Sequence, residues 1–317
     1  MGSRHLTDSS LRRSSPQLRC PEKRVRLRLL EVQRWLLHHS VAHARTHDSS
    51  YAYQPGRSVV QCATRHLGAS WFVKIDIKDY FHSFDETQVF SVFVELGYSR
   101  LVAFELSRLC TRRAPGDASW LPPKFRRQSS RRYESMGYRP TTLGYLPQGA
   151  PTSGFLANVL TRMLDLRLSN IAGDFGLVYT RYADDIVLSG SSPFSRPHAE
   201  RIMRMAITAV RRAGFAHNIA KSRIVGPGSR LAMLGLLIDG ERVRLTRQTR
   251  SRIETHVRGV ERFGLQTHAS HRGFDDDFGF LNHIYGLLDY ANDVDRDFAT
   301  RYRERLQEAL RNRTRAH

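Results

Sequence analysis

The four residues Tyr182-Ala183-Asp184-Asp185 constrain this chain more than any other feature. Apolar runs flank them, Leu177-Val178-Tyr179-Thr180 before and Ile186-Val187-Leu188-Ser189-Gly190 after. Two strand-like runs around a short polar step predict a β-hairpin with adjacent carboxylates at its tip. Side-by-side acids at a buried edge repel each other and lose hydration. A polyvalent cation removes both penalties, and oxygen-only ligands suit a hard ion such as Mg²⁺. An exposed turn can carry Asp-Asp as well, so the reading depends on what else the chain supplies.

It supplies a third acid. The run Trp71-Phe72-Val73-Lys74-Ile75-Asp76-Ile77 predicts a strand that ends near Asp76, and Lys78-Asp79-Tyr80-Phe81 follows it. Between this strand and the hairpin lies Leu146-Pro147-Gln148-Gly149-Ala150-Pro151-Thr152-Ser153, a turn that opens a helix. Pro151, Thr152 and Ser153 suit the start of that helix, the hydroxyls as caps. In this order the three segments resemble palm motifs A, B and C of reverse transcriptases. Shorter segments resemble the compact bacterial enzymes of retrons. His47-Asp48-Ser49-Ser50-Tyr51-Ala52-Tyr53 and Gly56-Arg57-Ser58 precede motif A, as in those enzymes. Cys62-Ala63-Thr64-Arg65-His66 stands where they carry Asn-Ala-x-x-His, so Cys62 departs. Leu234-Gly235-Leu236 stands where they carry Val-Thr-Gly, and only Gly235 matches. The resemblance runs over residues 24 to 310.

The resemblance implies an α+β right-hand polymerase. Residues 1–70 would be fingers and 71–240 a palm, an antiparallel sheet with packed helices that includes a finger segment and a basic loop at 111–142. Residues 241–317 would be a helical thumb. The implied activity is RNA-directed DNA polymerisation. A terminal hydroxyl attacks the α-phosphorus of a deoxynucleoside triphosphate while two divalent ions about 3.5–4 Å apart stabilise the attacking and leaving oxygens. The ions would be Mg²⁺, with Mn²⁺ as substitute. Asp76 and Asp184 would bridge both ions, Asp185 would be a weaker or indirect ligand, and the backbone carbonyl of Ile77 would complete one shell. Phe81 would be the steric gate against a ribose 2′-hydroxyl; plain core is the other reading of an aromatic there. Asp79 and Tyr80 would offer backbone amides to the triphosphate. Gln148 and Gly149 would touch the nascent base pair and template. Lys221, in Asn218-Ile219-Ala220-Lys221, matches the motif D lysine that protonates pyrophosphate, although a surface lysine reads the same. Arg57 would contact a phosphate.

Composition narrows the partners. The chain has 317 residues, with 50 lysines and arginines against 30 acids and a net charge of +20. Such a balance predicts a polyanionic partner. A membrane surface is the alternative, but no apolar run reaches 18 residues. No secretory leader is recognisable at the N-terminus, and the scattered cysteines Cys20, Cys62 and Cys110 predict a reducing cytoplasm. By resemblance the partners are a structured non-coding RNA that is template and primer, its DNA product, dNTPs and an effector protein. The biological setting would be anti-phage defence.

The remaining pattern is helical or loop-like. Residues 1–20 are Ser/Arg-rich and predict poor order. Leu29, Leu30, Val32, Leu36 and Leu37 form a stripe, and residues 85–110 and 197–213 read as helices, the latter closed by Gly214. Arg112-Arg113, Arg126-Arg127 and Arg131-Arg132 make the 111–142 loop a solvated insertion or an RNA contact. Residues 234–245 predict a hairpin with a two-residue turn at Asp239-Gly240, which grips the primer in the family. Three helical stripes follow: Ile253, Val257 and Val260; Leu281, Ile284, Tyr285 and Leu288; Phe298, Tyr302, Leu306 and Leu310. Arg250 and Arg258 are candidate RNA contacts. Asp275-Asp276-Asp277 reads as a helix start and His39, His43 and His47 as solvated. Nothing follows the thumb, which predicts no ribonuclease H, maturase or endonuclease domain. Two other functions stay open at this point: another defence-associated or group II intron-derived reverse transcriptase, and a catalytically dead RNA-binding scaffold.

Overall fold

The computed structural model describes residues 21–113, 143–191 and 193–314. The readings placed on residues 1–20 and on the Arg126-Arg127 and Arg131-Arg132 pairs lie outside the described residues.

A five-stranded antiparallel sheet forms the centre. Its middle strand, β1 (Trp71–Lys78), is apolar at Trp71, Phe72, Val73, Ile75 and Ile77, three of them β-branched, and buried on both faces. Two short strands, β2 (Arg112–Arg113) and β3 (Gly144–Tyr145), pair with each other beside it. β4 (Val178–Tyr182) and β5 (Asp185–Gly190) make the expected hairpin, with Tyr182 opposite Asp185. β5 then runs along β1 from Trp71↔Gly190 to Asp76↔Asp185. The other edge of β1 takes β6 (Ala216–His217) and β7 (Arg223–Val225). Alternation along β1 sorts its side chains. Trp71, Val73, Ile75 and Ile77 enter one core, while Phe72 enters a second. Lys74 and Asp76 share the Phe72 face.

Helices cover the first face. α1 (Pro21–His39) precedes β1, and α3 (Glu86–Glu95) and α4 (Arg100–Cys110) follow it, whereas the short α2 (Val59–Thr64) packs into the second core through Cys62 and Ala63. Asp85 and Gln88 form a reciprocal capping box at α3. α5 (Ser153–Asp174) and α6 (Arg196–Arg212) complete the layer, and α6 ends at Gly214, whose φ of +89° suits only glycine well. Two expectations fail here. Of the α1 stripe, only Leu36 is buried, whereas Leu29 and Val32 are exposed and Gln33 takes the inner position by donating to the Leu109 carbonyl at 2.7 Å. Nor do Thr152 and Ser153 cap α5. Thr152 already has helical φ and ψ of −82° and −23°, so its hydroxyl is not aimed at the first free amides.

The C-terminal helices enclose the second core. β8 (Ala232–Met233), β9 (Leu236–Leu237) and β10 (Arg244–Leu245) form a small antiparallel sheet ahead of them. The expected two-residue turn at Asp239-Gly240 is instead a longer connection, across which Arg244 pairs with Asp239 at 2.6 Å. The tight turn lies one strand earlier, at Leu234 and Gly235, where φ is +52° and +81°. A leucine in that region is strained. Tyr290 holds it by donating to the Leu234 carbonyl at 2.6 Å. α7 (Arg247–Phe263), α9 (Asp277–Asn292) and α10 (Arg296–Thr314) carry the three expected stripes, and α8 (Leu265–His271) is an unpredicted extra turn of helix. Asp276 caps α9 through the Gly279 amide at 2.6 Å. Among the described residues, no helix is long and apolar enough to cross a membrane.

Candidate active site

Strand register brings the three acids together. Asp76 lies opposite Asp185 across the β1–β5 ladder, and the Ile77 amide donates to the Asp184 carbonyl at 2.9 Å. Asp76 is 2% exposed, while Asp184 and Asp185 are half-buried. Two ammonium groups meet this cluster. Lys221 Nζ stands 2.9 Å from Asp76 Oδ1, and Lys74 Nζ stands 2.9 Å from Asp185 Oδ1. The Lys221 contact is an ion pair off the hydrogen-bond line, so the buried Asp76 Oδ1 has no aligned donor. Burial above all, and the charges of Asp185 and Asp76, raise the Asp184 carboxyl above its ordinary value. A buried carboxylate oxygen without an aligned donor, beside a carboxylate held up by burial and then by like charge, fits a divalent cation. The donors are all hard oxygens, as such an ion prefers. No three His, Cys, Asp or Glu side chains among the described residues form a ready-made cage. Asp76, Asp184 and the Ile77 carbonyl could hold the ion, with Asp185 turned to Lys74.

A buried network aims the hairpin. Arg181 and Asp165 are both fully buried and paired through two contacts, Nε to Oδ1 and Nη2 to Oδ2, each 2.7 Å. The remaining Arg181 donors reach Tyr80 Oη at 2.8 Å, Asn158 Oδ1 at 3.1 Å, Ser50 Oγ at 3.1 Å and the Ala183 carbonyl at 3.0 Å. The last bond fixes the turn itself, where Ala183 has a φ of +55°. Tyr179 adds a 2.6 Å bond to Asp165. Every guanidinium edge therefore has a partner, which a buried charge needs.

The aromatic wall lies beside the acids. Asp79 turns the chain at a φ of +49°, and Phe81 follows, half-buried, with its ring 5.8 Å from Tyr53 and 5.5 Å from Tyr80. Tyr80 itself points into the core and joins the Arg181 network. Tyr53 closes onto Gly154, where a Cβ would stand 2.3 Å from the Tyr53 ring, so only glycine fits there. Gln148 and Gly149 form an exposed turn at the mouth of α5, Gly149 with a φ of +89°. Arg57 donates to the Asp48 carbonyl at 3.0 Å, pairs with the Asp48 carboxylate at 3.7 Å and lies over the Tyr51 ring at 4.9 Å, away from Asp76, Asp184 and Asp185. Arg250 pairs with Asp295 and stacks on Phe298, and Arg258 pairs with Glu254 at 3.9 Å.

Sequence reasoning missed Lys74, Arg181 and Asp165. Lys74 was legible in principle, since it lies two residues before Asp76 and therefore on the same strand face. Arg181 and Asp165 were not: each reads alone as a solvated charge.

The Cys62–His66 segment sits behind the hairpin. His66 is 1% exposed and bonds the Thr180 hydroxyl of β4 at 2.6 Å and the Ser189 hydroxyl of β5 at 2.7 Å. Cys62 reaches the same Thr180 hydroxyl at 3.4 Å, and burial pushes its thiol up to about 11. A cysteine is thus satisfied where asparagine was the expectation.

Comparison with known proteins agrees with this geometry. The family described as "Reverse transcriptase (RNA-dependent DNA polymerase)" matches residues 15–238. The chain is 30% identical to the retron Ec86 reverse transcriptase of Escherichia coli, over 87% of this chain and 73% of that protein. It is 29% identical to the retron Mx65 reverse transcriptase of Myxococcus xanthus, over 88% and 59%. The retron Mx162 enzyme of the same organism is 32% identical over 67% of this chain and 42% of its own length. The chain belongs to the reverse transcriptases, RNA-dependent DNA polymerases, and within them to the retron type.

Proposed function

We propose that this chain copies a structured RNA into single-stranded DNA at the Asp76–Asp184–Asp185 cluster, extending a hydroxyl that the RNA supplies. The observation that carries the reading is the convergence of these three acids from two paired strands, with Lys221 at 2.9 Å from Asp76. Asp76, Asp184 and the Ile77 carbonyl would hold Mg²⁺, two ions by the two-metal scheme, with Asp185 beside them and Mn²⁺ as substitute. When bound, such ions stabilise charge on the attacking and leaving oxygens. The chain's own groups do the rest. Asp76 raises Lys221 above its ordinary value, so Nζ keeps its proton at neutral pH and can pass it to the leaving pyrophosphate. Phe81, propped by Tyr53, would stand under the sugar of the incoming dNTP and clash with a 2′-hydroxyl. The amides of Asp79 and Tyr80 and the Arg57 guanidinium would take phosphate oxygens, and Gln148 and Gly149 the nascent pair. The Arg181–Asp165 pair positions the hairpin and touches no substrate.

The domain reading is fingers at 1–70, palm at 71–240 and thumb at 241–317. The second core supports the thumb by gathering the C-terminal helices over residues 231–245, although Phe72, Val187 and residues before 71 also reach into it. The same reading sets the enzyme in the cytoplasm, in anti-phage defence alongside an effector protein. Purifying the protein from cells and sequencing its attached nucleic acid tests the proposal. It predicts a covalent RNA–DNA molecule; RNA with no DNA joined to it would contradict it.

A further inference from the structure

The C-terminal helices contain a cavity that the polymerase reading does not use. It lies between α7, α9 and the turn joining α8 to α9, with a volume of about 560 Å³. Its wall carries Arg252, Arg272, His256, His283, Ser251 and Thr255, and no carboxylate. Of the acids on these helices, Asp295 pairs with Arg250, Glu261 with Arg305, Asp289 with Arg303 and Glu254 with Arg258, Asp276 caps α9, and Asp275 and Asp277 follow Phe274 without lining the cavity. Neither Arg252 nor Arg272 has a carboxylate partner among the described residues.

The histidines make this a built site rather than a basic surface. His256 is 7% exposed, and its Nδ1 has no hydrogen-bond partner. A buried polar atom without a partner is unfavourable. Its ring lies 5.6 Å from His283 and 5.8 Å from His268, whose Nε2 is also buried and unpartnered. Arg252 donates to His283 Nε2 at 3.0 Å, which leaves the ring proton of neutral His283 on Nδ1. Phe274 covers His283 from one side at 5.4 Å. Burial, and then His283, Arg272, His268 and Arg252, push His256 down to about 4. His283 is lowered by burial and Arg252, and His268 by burial, Arg272 and His271. The cavity thus holds positive charge with nothing negative to offset it, and imidazoles that would take a proton if something negative entered.

We propose that this cavity is a phosphate-binding site, in which Arg252 and Arg272 take the anionic oxygens and His256 gains a proton on Nδ1 as the ligand enters. Paired guanidiniums supply the donors that phosphate oxygens need, with the Ser251 hydroxyl beside them, whereas the Thr255 hydroxyl already donates to the Ser251 carbonyl at 2.7 Å. The phosphate is either a backbone diester of bound RNA or free phosphate; the RNA source rests on the RNA-copying reading above.

The test uses the full-length protein with ¹⁵N-labelled histidine. Ring-nitrogen signals of His256 and His283 are followed by NMR at pH 5.5 and 7.5 against two probes. One is inorganic phosphate; the other is a short oligoribonucleotide without terminal phosphates, whose diesters do not titrate in this range. The expected result is a saturable shift of the His256 ring toward the protonated position at pH 5.5, with a smaller perturbation of the His283 ring as Arg252 turns from it to the anion. For the diester, affinity in this pocket should be roughly fourfold higher at pH 5.5, the gain if the anion lifts His256 by about two units. The double variant Arg252→Gln/Arg272→Gln should abolish the shift, and Arg252→Lys/Arg272→Lys should restore part of it. A response to one probe only assigns the source. Rings that move with neither probe overturn the proposal. An oligoribonucleotide that binds by anisotropy without moving the rings overturns its RNA form and leaves the copying reading intact. One that does not bind at all counts against the copying reading, and the phosphate arm then decides the site.

Discussion

A fully buried arginine, Arg181, lies within the hairpin that carries two of the three acids, and its worth depends on company. Removing one member of a buried pair strands the other charge, which costs about 3–5 kcal/mol. Asp165→Asn and Arg181→Met should each destabilise the fold by that order. Asp165→Asn/Arg181→Met together should cost clearly less than the two singles added, as chemical denaturation of the four proteins would show. Strict additivity would mean that the pair does not act as a unit. Phe81 makes the second prediction at this scale. Phe81→Ala should raise ribonucleotide incorporation relative to deoxynucleotide incorporation. An unchanged ratio in folded protein would return Phe81 to the core. The residue scale was also the best read from sequence. Asp184 and Asp185 share a tip because hairpin pairing is a local rule, whereas the meeting of Asp76 and Lys221 with them was legible only through the family resemblance. Arg181 and Asp165 escaped because their meeting depends on how α5 crosses the sheet, which no local pattern encodes.

Strands β4 and β5 are tied together from behind by one imidazole. Neutral His66 bridges Thr180 and Ser189, and burial first, then Arg65, holds it down to about 4 against an ordinary 6.5. A group whose folded value is depressed in this way charges more readily in the unfolded chain. Its neutral, native state is unpenalised above pH 6.5, and stability is lost as pH falls from there toward 4. The full window is worth on the order of 3 kcal/mol. Urea denaturation at pH 7 and pH 5 should show wild-type stability falling with acid, and His66→Gln should flatten that slope. Equal slopes would remove His66 from the account. Element boundaries were legible where caps are self-contained, as at Asp85 and Asp276. They were not at Thr152, where the turn entering α5 had already taken helical angles. At Leu234 and Gly235, the leucine hid a left-handed turn that Tyr290 supports from another helix.

Fifty basic residues against thirty acids give the whole molecule a field that steers it to polyanions. Several arginines of the C-terminal helices are already in ion pairs, so fewer phosphates are neutralised than the charge alone suggests. Each contact contributes about 0.7–0.9 to the slope of log affinity against log salt. Titrations of a cognate and a scrambled RNA should give parallel lines with a constant offset, the offset being shape recognition. Coincident lines would mean that charge alone holds the RNA. DNA synthesis on an RNA template through Asp184 is the activity on which the proposed function rests. Primer extension on a primed RNA with dNTPs and Mg²⁺, using wild type and Asp184→Asn, tests it directly. The account predicts extended DNA from the wild type, and from the variant less than about a tenth of that rate, a loss of more than about 1.4 kcal/mol of barrier lowering, with RNA binding retained. A variant that extends the primer as the wild type does, or a wild type that makes no DNA, would contradict it.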